Sequence, residues 1–206
     1  MKHLLLIGAS GHGKVVAETA ELCDYSNIKF LDITYPKRTQ NGLWSIVGEP
    51  KADIIEKTKN SDLFISIGNN RIREQVSDNL NLKNCPIIAH PSAVISRHAK
   101  IDQGSLLVAG SVINIDAEIG KFVIVNTGAS IDHDCNIGDF VHISPGARLA
   151  GGVSIGVRTW IGIGAVVKEN IKIGKDVIIG AGAAVVDDVP DGATVLGVPA
   201  TPYKDN

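Results

Sequence analysis

The residues best suited to chemistry are Asp132-His133-Asp134 and His142. An imidazole titrates near neutral pH and can take a proton from an attacking nucleophile. A carboxylate beside it fixes the tautomer and stabilises the imidazolium that forms, and His133 has one on either side. Successive side chains of a strand point to opposite faces, so only a turn lets Asp132 or Asp134 reach the ring. Which of the two orients it is left open by the residues alone. His142 follows nine residues later. Both histidines fall off the inward positions of the pattern around them, so both are expected on the exterior.

A second group stands at the start of the chain. Gly8-Ala9-Ser10-Gly11-His12-Gly13 follows an apolar run, Leu4 to Ile7, and precedes a helical pattern from Lys14 to about Asp24. A glycine turn between strand and helix offers backbone N–H groups and a helix N-terminus to an anion, so a phosphate or pyrophosphate is its natural ligand. The spacing GxxGxG is not the GxGxxG of nicotinamide and flavin sites. Asp32 closes a second strand, Ile28 to Leu31, and Gly68-Asn69-Asn70 closes a third, Leu63 to Ile67. All three ends lie at the carboxyl edge, where open parallel sheets bind ligands. Gly8, Ser10, Gly11, His12, Gly13, Asp32, Gly68 and Asn69 are therefore the candidate nucleotide-binding residues.

Two kinds of element must position these groups. From Ile95 to Val185 an aliphatic residue occupies every sixth position without a slip, and four residues after each comes a small or β-branched one. A period of six fits neither a helix nor a hairpin. It fits a parallel β-helix in which three short strands make one coil of 18 residues. Gly151 lies 18 residues after His133 and so belongs directly above it, leaving room beside the imidazole and an N–H for a developing oxyanion. His133 and His142, half a coil apart, must face different directions and can meet only across a subunit interface.

Residues 1–89 read instead as a small Rossmann-like α/β sheet. Helices are expected at Asp53–Asn60 and Ile72–Leu82, an irregular polar loop from Thr34 to Trp44, and a last short strand at Pro86–Ala89. Residues 90–206 form the β-helix with a short C-terminal tail, joined at His90-Pro91-Ser92 without a linker.

Composition agrees. Hydrophobic residues make up 44% and aromatics only 4%, as a narrow β-helix interior requires. A net charge of −2 without a basic stripe gives no support for nucleic-acid binding. Cys23, Cys85 and Cys135 form neither a CxxC pair nor an even framework, which suggests a reducing, cytoplasmic setting. The apolar start is too short for a signal peptide or a membrane span, so no membrane insertion is expected.

The unbroken hexads resemble the left-handed β-helix (hexapeptide-repeat) acyltransferases, trimeric enzymes that use acetyl-CoA. The whole chain is similar, more specifically, to the bacterial nucleotide-aminosugar N-acetyltransferases, grouped with the sialic acid O-acetyltransferases. The likeness rests on Gly8-Ala9-Ser10-Gly11-His12-Gly13-Lys14, on Asn126-Thr127 through Asp132-His133-Asp134 and His142, and on Gly197-Val198-Pro199-Ala200. It implies that His133 is the general base and Asp134 its orienting partner, where relatives often carry Glu. It implies that His142 meets acetyl-CoA from the neighbouring subunit, that Gly151 donates its N–H to the thioester carbonyl, and that Asn126 lines the same pocket. The glycine turn and Asp32 would hold the nucleotide of a nucleotide-linked 4-amino-4,6-dideoxy sugar destined for surface glycans.

The nearest rival is O-acetylation of sialic acid or another sugar hydroxyl, which uses the same base. A non-catalytic β-helix scaffold has no use for His133 between two carboxylates. A metal-dependent hydratase on this architecture needs three interfacial His ligands. Only His133 and His142 lie on the central coils, so no metal is expected.

Overall fold

The computed structural model describes residues 2–57 and 60–203. Its N-terminal part is a five-stranded sheet, built from β1 (Lys2–Ile7), β2 (Tyr25–Leu31), β3 (Gln40–Asn41), β4 (Trp44–Gly48) and β5 (Asp62–Ile65), in the order β3-β4-β2-β1-β5. The helices are α1 (Gly11–Glu21), α2 (Ala52–Lys57) and α3 (Asn70–Asn79). All pairings are parallel except the β3–β4 hairpin. Leu4 and Leu6 of β1 are fully buried because both faces of a central parallel strand are covered.

The stretch expected to be irregular, Thr34 to Trp44, ends in that hairpin. Asn41-Gly42-Leu43 turns the chain, with Gly42 at a positive φ, and β4 then pairs with β2 as an extra sheet strand. The helix expected at Asp53–Asn60 is α2 as far as Lys57; residues 58 and 59 lie outside the described ones. The helices begin earlier than their apolar patterns, because Ser10 and Asn69 cap them. The Ser10 hydroxyl accepts from the Gly13 N–H and the Asn69 side chain from the Ile72 N–H.

From β6 (Ile88–Ala89) onward the chain winds as a left-handed parallel β-helix. Two-residue strands stack every 18 residues in strict register, as in Ile113↔Ile131↔Leu149↔Val167↔Val185. The aliphatic member of each hexad and the small one four residues later fill one continuous core, with Ala129, Cys135, Val141 and Ala147 as examples. β6 does not close the N-terminal sheet, as its sequence position suggested. Its two residues pair with Leu106 and Leu107 and form the first rung of the β-helix.

The three faces of the prism differ. One shows Lys100, Glu118, Asn136, Ser154 and Lys172, all polar. A second exposes Val94 and Val166, 62% and 44% accessible. The third carries Leu106, Ile124, His142, Trp160 and Ile178 on successive rungs. Its lower rungs are covered by the N-terminal part, where Val16, Ala17 and Ala20 of α1 share one apolar cluster with Ile88, Leu106 and Ile124. Burying such side chains contributes about 1.5–3 kcal/mol each, enough to fix the two parts against each other.

Candidate active site

His133 sits at a corner of the β-helix, just after the strand Ser130–Ile131. Asp134 takes a positive φ of 57° there, a conformation Asp tolerates better than most residues. The bend turns its carboxylate back, and Oδ2 accepts from His133 Nδ1 at 2.7 Å. Asp132 is used differently. Its Oδ1 accepts from the His133 backbone N–H at 2.8 Å and from Asn114 Nδ2, one coil below, at 2.7 Å. Asp134 therefore contacts the imidazole and Asp132 holds the backbone beneath it.

With Nδ1–H committed to Asp134, the lone pair of Nε2 points outward, and the side chain is 57% exposed. The bond to Asp134 chiefly raises the His133 pKa above its ordinary value, helped by the charge of Asp132. Gly151 lies against the ring as the 18-residue coil demands. A Cβ there would sit 2.4 Å from His133 Cε1 and 2.6 Å from Nε2, so only glycine leaves the imidazole where it is.

His142 is not exterior, contrary to the pattern-based expectation. It points away from the coil interior, but the N-terminal part covers it and it is 4% exposed. Nδ1 lies 3.3 Å from the Gly68 carbonyl, and Nε2 lies 3.1 Å from Asn126 Nδ2. The ring packs 4.2 Å from Trp160 and 6.1 Å from His12, centroid to centroid. Burial, then the charge of Arg73, pushes its pKa down to about 3, and the same two causes take His12 to about 4. Both imidazoles are neutral at physiological pH. His12, Gly68, Asn126, His142 and Trp160 line a cleft of about 610 Å³ that runs on past Gly162 and Gly180. His12 Nε2 and Ser144 Oγ, buried in this lining, have no hydrogen-bond partner in the protein. Orphaned polar atoms in an otherwise apolar cleft suit a ligand with amide or carbonyl groups.

The candidate nucleotide residues divide between two places. Gly8, Ser10 and Asp32 line a separate cleft of about 230 Å³, with Ile33, Pro50 and Ile72 as its apolar walls. Gly8 adopts a φ of +107°, and a Cβ on Gly13 would meet the Gly8 carbonyl at 2.6 Å, whereas Gly11 faces open space. Gly8 and Gly13 are thus required by the turn itself. Asp32 ties that turn to the following loop: Oδ2 accepts from the Ala9 N–H at 2.7 Å, and Oδ1 from the Thr34 N–H and hydroxyl. Burial alone would raise its pKa, but these bonds and Arg38 outweigh it and hold the carboxyl below the usual range. His12 and Gly68 belong instead to the His142 cleft, and the Asn69 side chain caps α3.

Two residues of the site had gone unnoticed. Trp160 follows His142 by one coil, so the 18-residue spacing that located Gly151 also locates it. Arg73 carries no such signal. Among the described residues no group of three or more His, Cys, Asp or Glu side chains is arranged to hold a metal ion, and no helix is long and apolar enough to cross a membrane.

Comparison with known proteins gives the class. Residues 3–80 match the family described as PglD N-terminal domain. The acetyltransferase domain of PglB from Neisseria gonorrhoeae FA1090, solved with acetyl coenzyme A, is 40% identical; the match covers 98% of this chain and 99% of that one, with a TM-score of 0.91. A perosamine N-acetyltransferase from Caulobacter crescentus, solved with CoA and GDP-perosamine, is 37% identical over 100% of this chain and 98% of its own, with a TM-score of 0.93. UDP-N-acetylbacillosamine N-acetyltransferase of Bacillus subtilis (strain 168) is 39% identical over 114 residues, 53% of this chain. That alignment spans about half, 52%, of the curated relative's length. The chain belongs to the left-handed β-helix family of sugar N-acetyltransferases.

Proposed function

We propose that the chain transfers an acetyl group from acetyl-CoA to the amine of a nucleotide-linked 4-amino-4,6-dideoxy sugar, for surface glycan synthesis in the cytoplasm. The observation that carries this reading is the His133–Asp134 pair, 2.7 Å apart on an exposed corner with Gly151 clearing space at Nε2. The acyl donor supplies the thioester carbonyl. His133 Nε2 takes the proton as the amine nitrogen bonds to that carbonyl carbon, and Asp134 stabilises the imidazolium. The Gly151 N–H steadies the oxyanion. As the tetrahedral centre collapses the C–S bond breaks, and the proton held by His133 neutralises the departing thiolate.

Within one subunit the partners of His133 (Asp134, Gly151) and those of His142 (Asn126, Gly68, His12, Trp160) have no residue in common. A homotrimer associating through the Val94 and Val166 face would complete each site with His133 of one subunit and the His142 cleft of the next. The acceptor's nucleotide belongs to the N-terminal domain, residues 1–89, at Gly8, Ser10, Gly11 and Asp32, and the acyl chemistry to the β-helix domain, residues 90–206.

The deciding experiment is turnover of acetyl-CoA with UDP-, dTDP- and GDP-linked amino sugars alongside free and CMP-linked sialic acids. N-acetylation of one nucleotide amino sugar is expected. Acetylation of a sialic acid hydroxyl alone would replace this reading with the O-acetyltransferase one. On the true acceptor, Asp32→Ala should raise the acceptor KM by about 1–3 kcal/mol equivalent and leave the acetyl-CoA KM unchanged.

A further inference from the structure

Arg73, on α3, is 1% exposed, and among the described residues no carboxylate accepts a hydrogen bond from it. Its acceptors are neutral. Nε donates to the Phe122 carbonyl at 2.8 Å, and Nη2 to the Phe140 carbonyl at 2.8 Å and to Asn70 Oδ1 at 3.0 Å. Nη1 donates to the carbonyls of Ile67 and Gly68, at 3.0 and 2.9 Å. Phe122 and Phe140 are equivalent corners of successive coils, while Ile67 and Gly68 end the β5 segment. One guanidinium thus gathers backbone from both parts of the molecule at the back of the acyl cleft.

The Gly68 carbonyl is the shared atom. It accepts from Arg73 and faces His142 Nδ1 at 3.3 Å. A carbonyl cannot donate, so that contact requires the His142 proton to be on Nδ1 and leaves Nε2 as an acceptor. Nε2 faces the Asn126 amide at 3.1 Å. The Asn126 orientation is fixed independently, because its Oδ1 accepts from the Thr127 N–H at 2.8 Å; Nδ2 must therefore face the ring. One Asn126 N–H is then given to His142, and the other remains for the cleft that Asn126 lines.

We propose that Arg73 is a positioning residue of the acyl-transfer site: through the Gly68 carbonyl it fixes the Nδ1–H tautomer of His142, which in turn aims the free N–H of Asn126 at the acyl-donor carbonyl. The proposal rests on the proposed acetyl transfer for its consequence, but the tautomer does not depend on it. The depressed His142 pKa fits the arrangement, since a buried guanidinium behind the ring disfavours a second cation. His142 is then a neutral link, and the electrophile meets an amide N–H.

The first test is nitrogen-15 NMR of the imidazole rings in the wild-type protein without ligand. A single Nδ1–H tautomer of His142 at pH 7 is expected, and an Nε2–H tautomer would overturn the proposal. The second test uses Arg73→Lys and Arg73→Met. Each should mix the His142 tautomers and lower kcat roughly 10–100-fold, the usual cost of losing the outer partner of a functional imidazole, with the nucleotide-sugar KM changed less than about threefold. Arg158→Gln is the control. Arg158 joins the same two parts through Glu74 and Asp176 without touching Gly68, so this variant should leave the tautomer alone. If Arg158→Gln scrambles the tautomer as much as Arg73→Lys does, Arg73 is merely a packing group. Should Arg73→Met not fold, Arg73→Lys and the wild-type spectrum still decide. A protein with the expected tautomer that acetylates no acceptor would sink the proposed reaction and leave the relay standing.

Discussion

His133 and His142 stand nine residues apart on one scaffold and have opposite surroundings. His133 is held at an exposed corner by a carboxylate that raises its pKa; His142 is sealed beneath the N-terminal part and driven down to about 3. On the proposed reading the same side chain is a proton acceptor in one place and a neutral hydrogen-bonding link in the other. The β-helix alone does not make that difference: His133 stands in a corner turn and His142 on a strand, yet both side chains point away from the coil interior. What covers them makes it: Gly151 lies against the half-exposed first ring, and Gly68, His12 and Arg73 surround the second.

The contrast can be broken most sharply at the exposed histidine. His133→Ala should cost roughly 100-fold or more in turnover with an unchanged melting temperature, because nothing in the core rests on it. Equal rates for variant and wild type would remove His133 from the reaction. Gly151→Val should push the imidazole away from Asp134 and lower turnover at least about tenfold, while calorimetry finds nucleotide-sugar affinity intact. Unaltered kinetics would mean that the ring has room elsewhere.

Smaller effects separate the two environments by pH. A general base must be neutral, so the rate falls as pH drops through the raised pKa of His133. Asp134→Asn replaces the charged acceptor by a neutral one and should move this acid limb of kcat/KM downward, toward the ordinary histidine value of about 6.5. A limb that stays in place would assign it to another group. For His142 and His12 the sign reverses. Their folded-state pKa values, about 3 and about 4, lie below the ordinary 6.5. The stability they contribute is present above pH 6.5 and is lost as pH falls from there toward 4, by about 1.4 kcal/mol per pH unit for each group. His142→Gln should flatten that decline in urea denaturation series, and an unchanged slope would mean that His142 is not the buried neutral group.

Much of this was legible in the sequence because a β-helix is specified locally. Hexads register on the coil below, so Ile95 to Val185 gave the fold and the 18-residue step placed Gly151 on His133. The choice between Asp132 and Asp134 depends on the positive φ at Asp134, which recurs three residues after the aliphatic member of every hexad from Gly104 to Gly182; the glycines that fill this station elsewhere are the signal that was passed over. The burial of His142 was hidden for another reason: the covering residues are far away in sequence and reach it only through α3 and the end of β5. β4 escaped notice because Trp44–Gly48 is a short strand behind a polar hairpin. Two strand-end residues thought to hold the nucleotide, Gly68 and Asn69, were read from their place at a sheet edge. That edge serves the His142 cleft and the α3 cap as well, and a pattern along one strand cannot tell these uses apart.

Besides their shared apolar clusters, the N-terminal part and the β-helix are joined by hydrogen bonds to main-chain oxygens. Arg73 takes the carbonyls of Phe122 and Phe140, and Asn70 takes those of Arg158 and Thr159, at 2.9 and 3.1 Å. Such a joint reads the path of the coils and not the identity of their side chains. The corner side chains answer to other partners: Phe122 and Phe140 are buried and stacked on each other, and Arg158 pairs with Glu74 and Asp176. Gaining or losing even one residue between Phe122 and Thr159 would shift the later corners and take the Phe140 carbonyl from Arg73 or the Arg158 and Thr159 carbonyls from Asn70. Divergence at this seam should avoid insertions and deletions, and a new insertion should settle on coils above Asp176, the corner that α3 still reaches through Arg71.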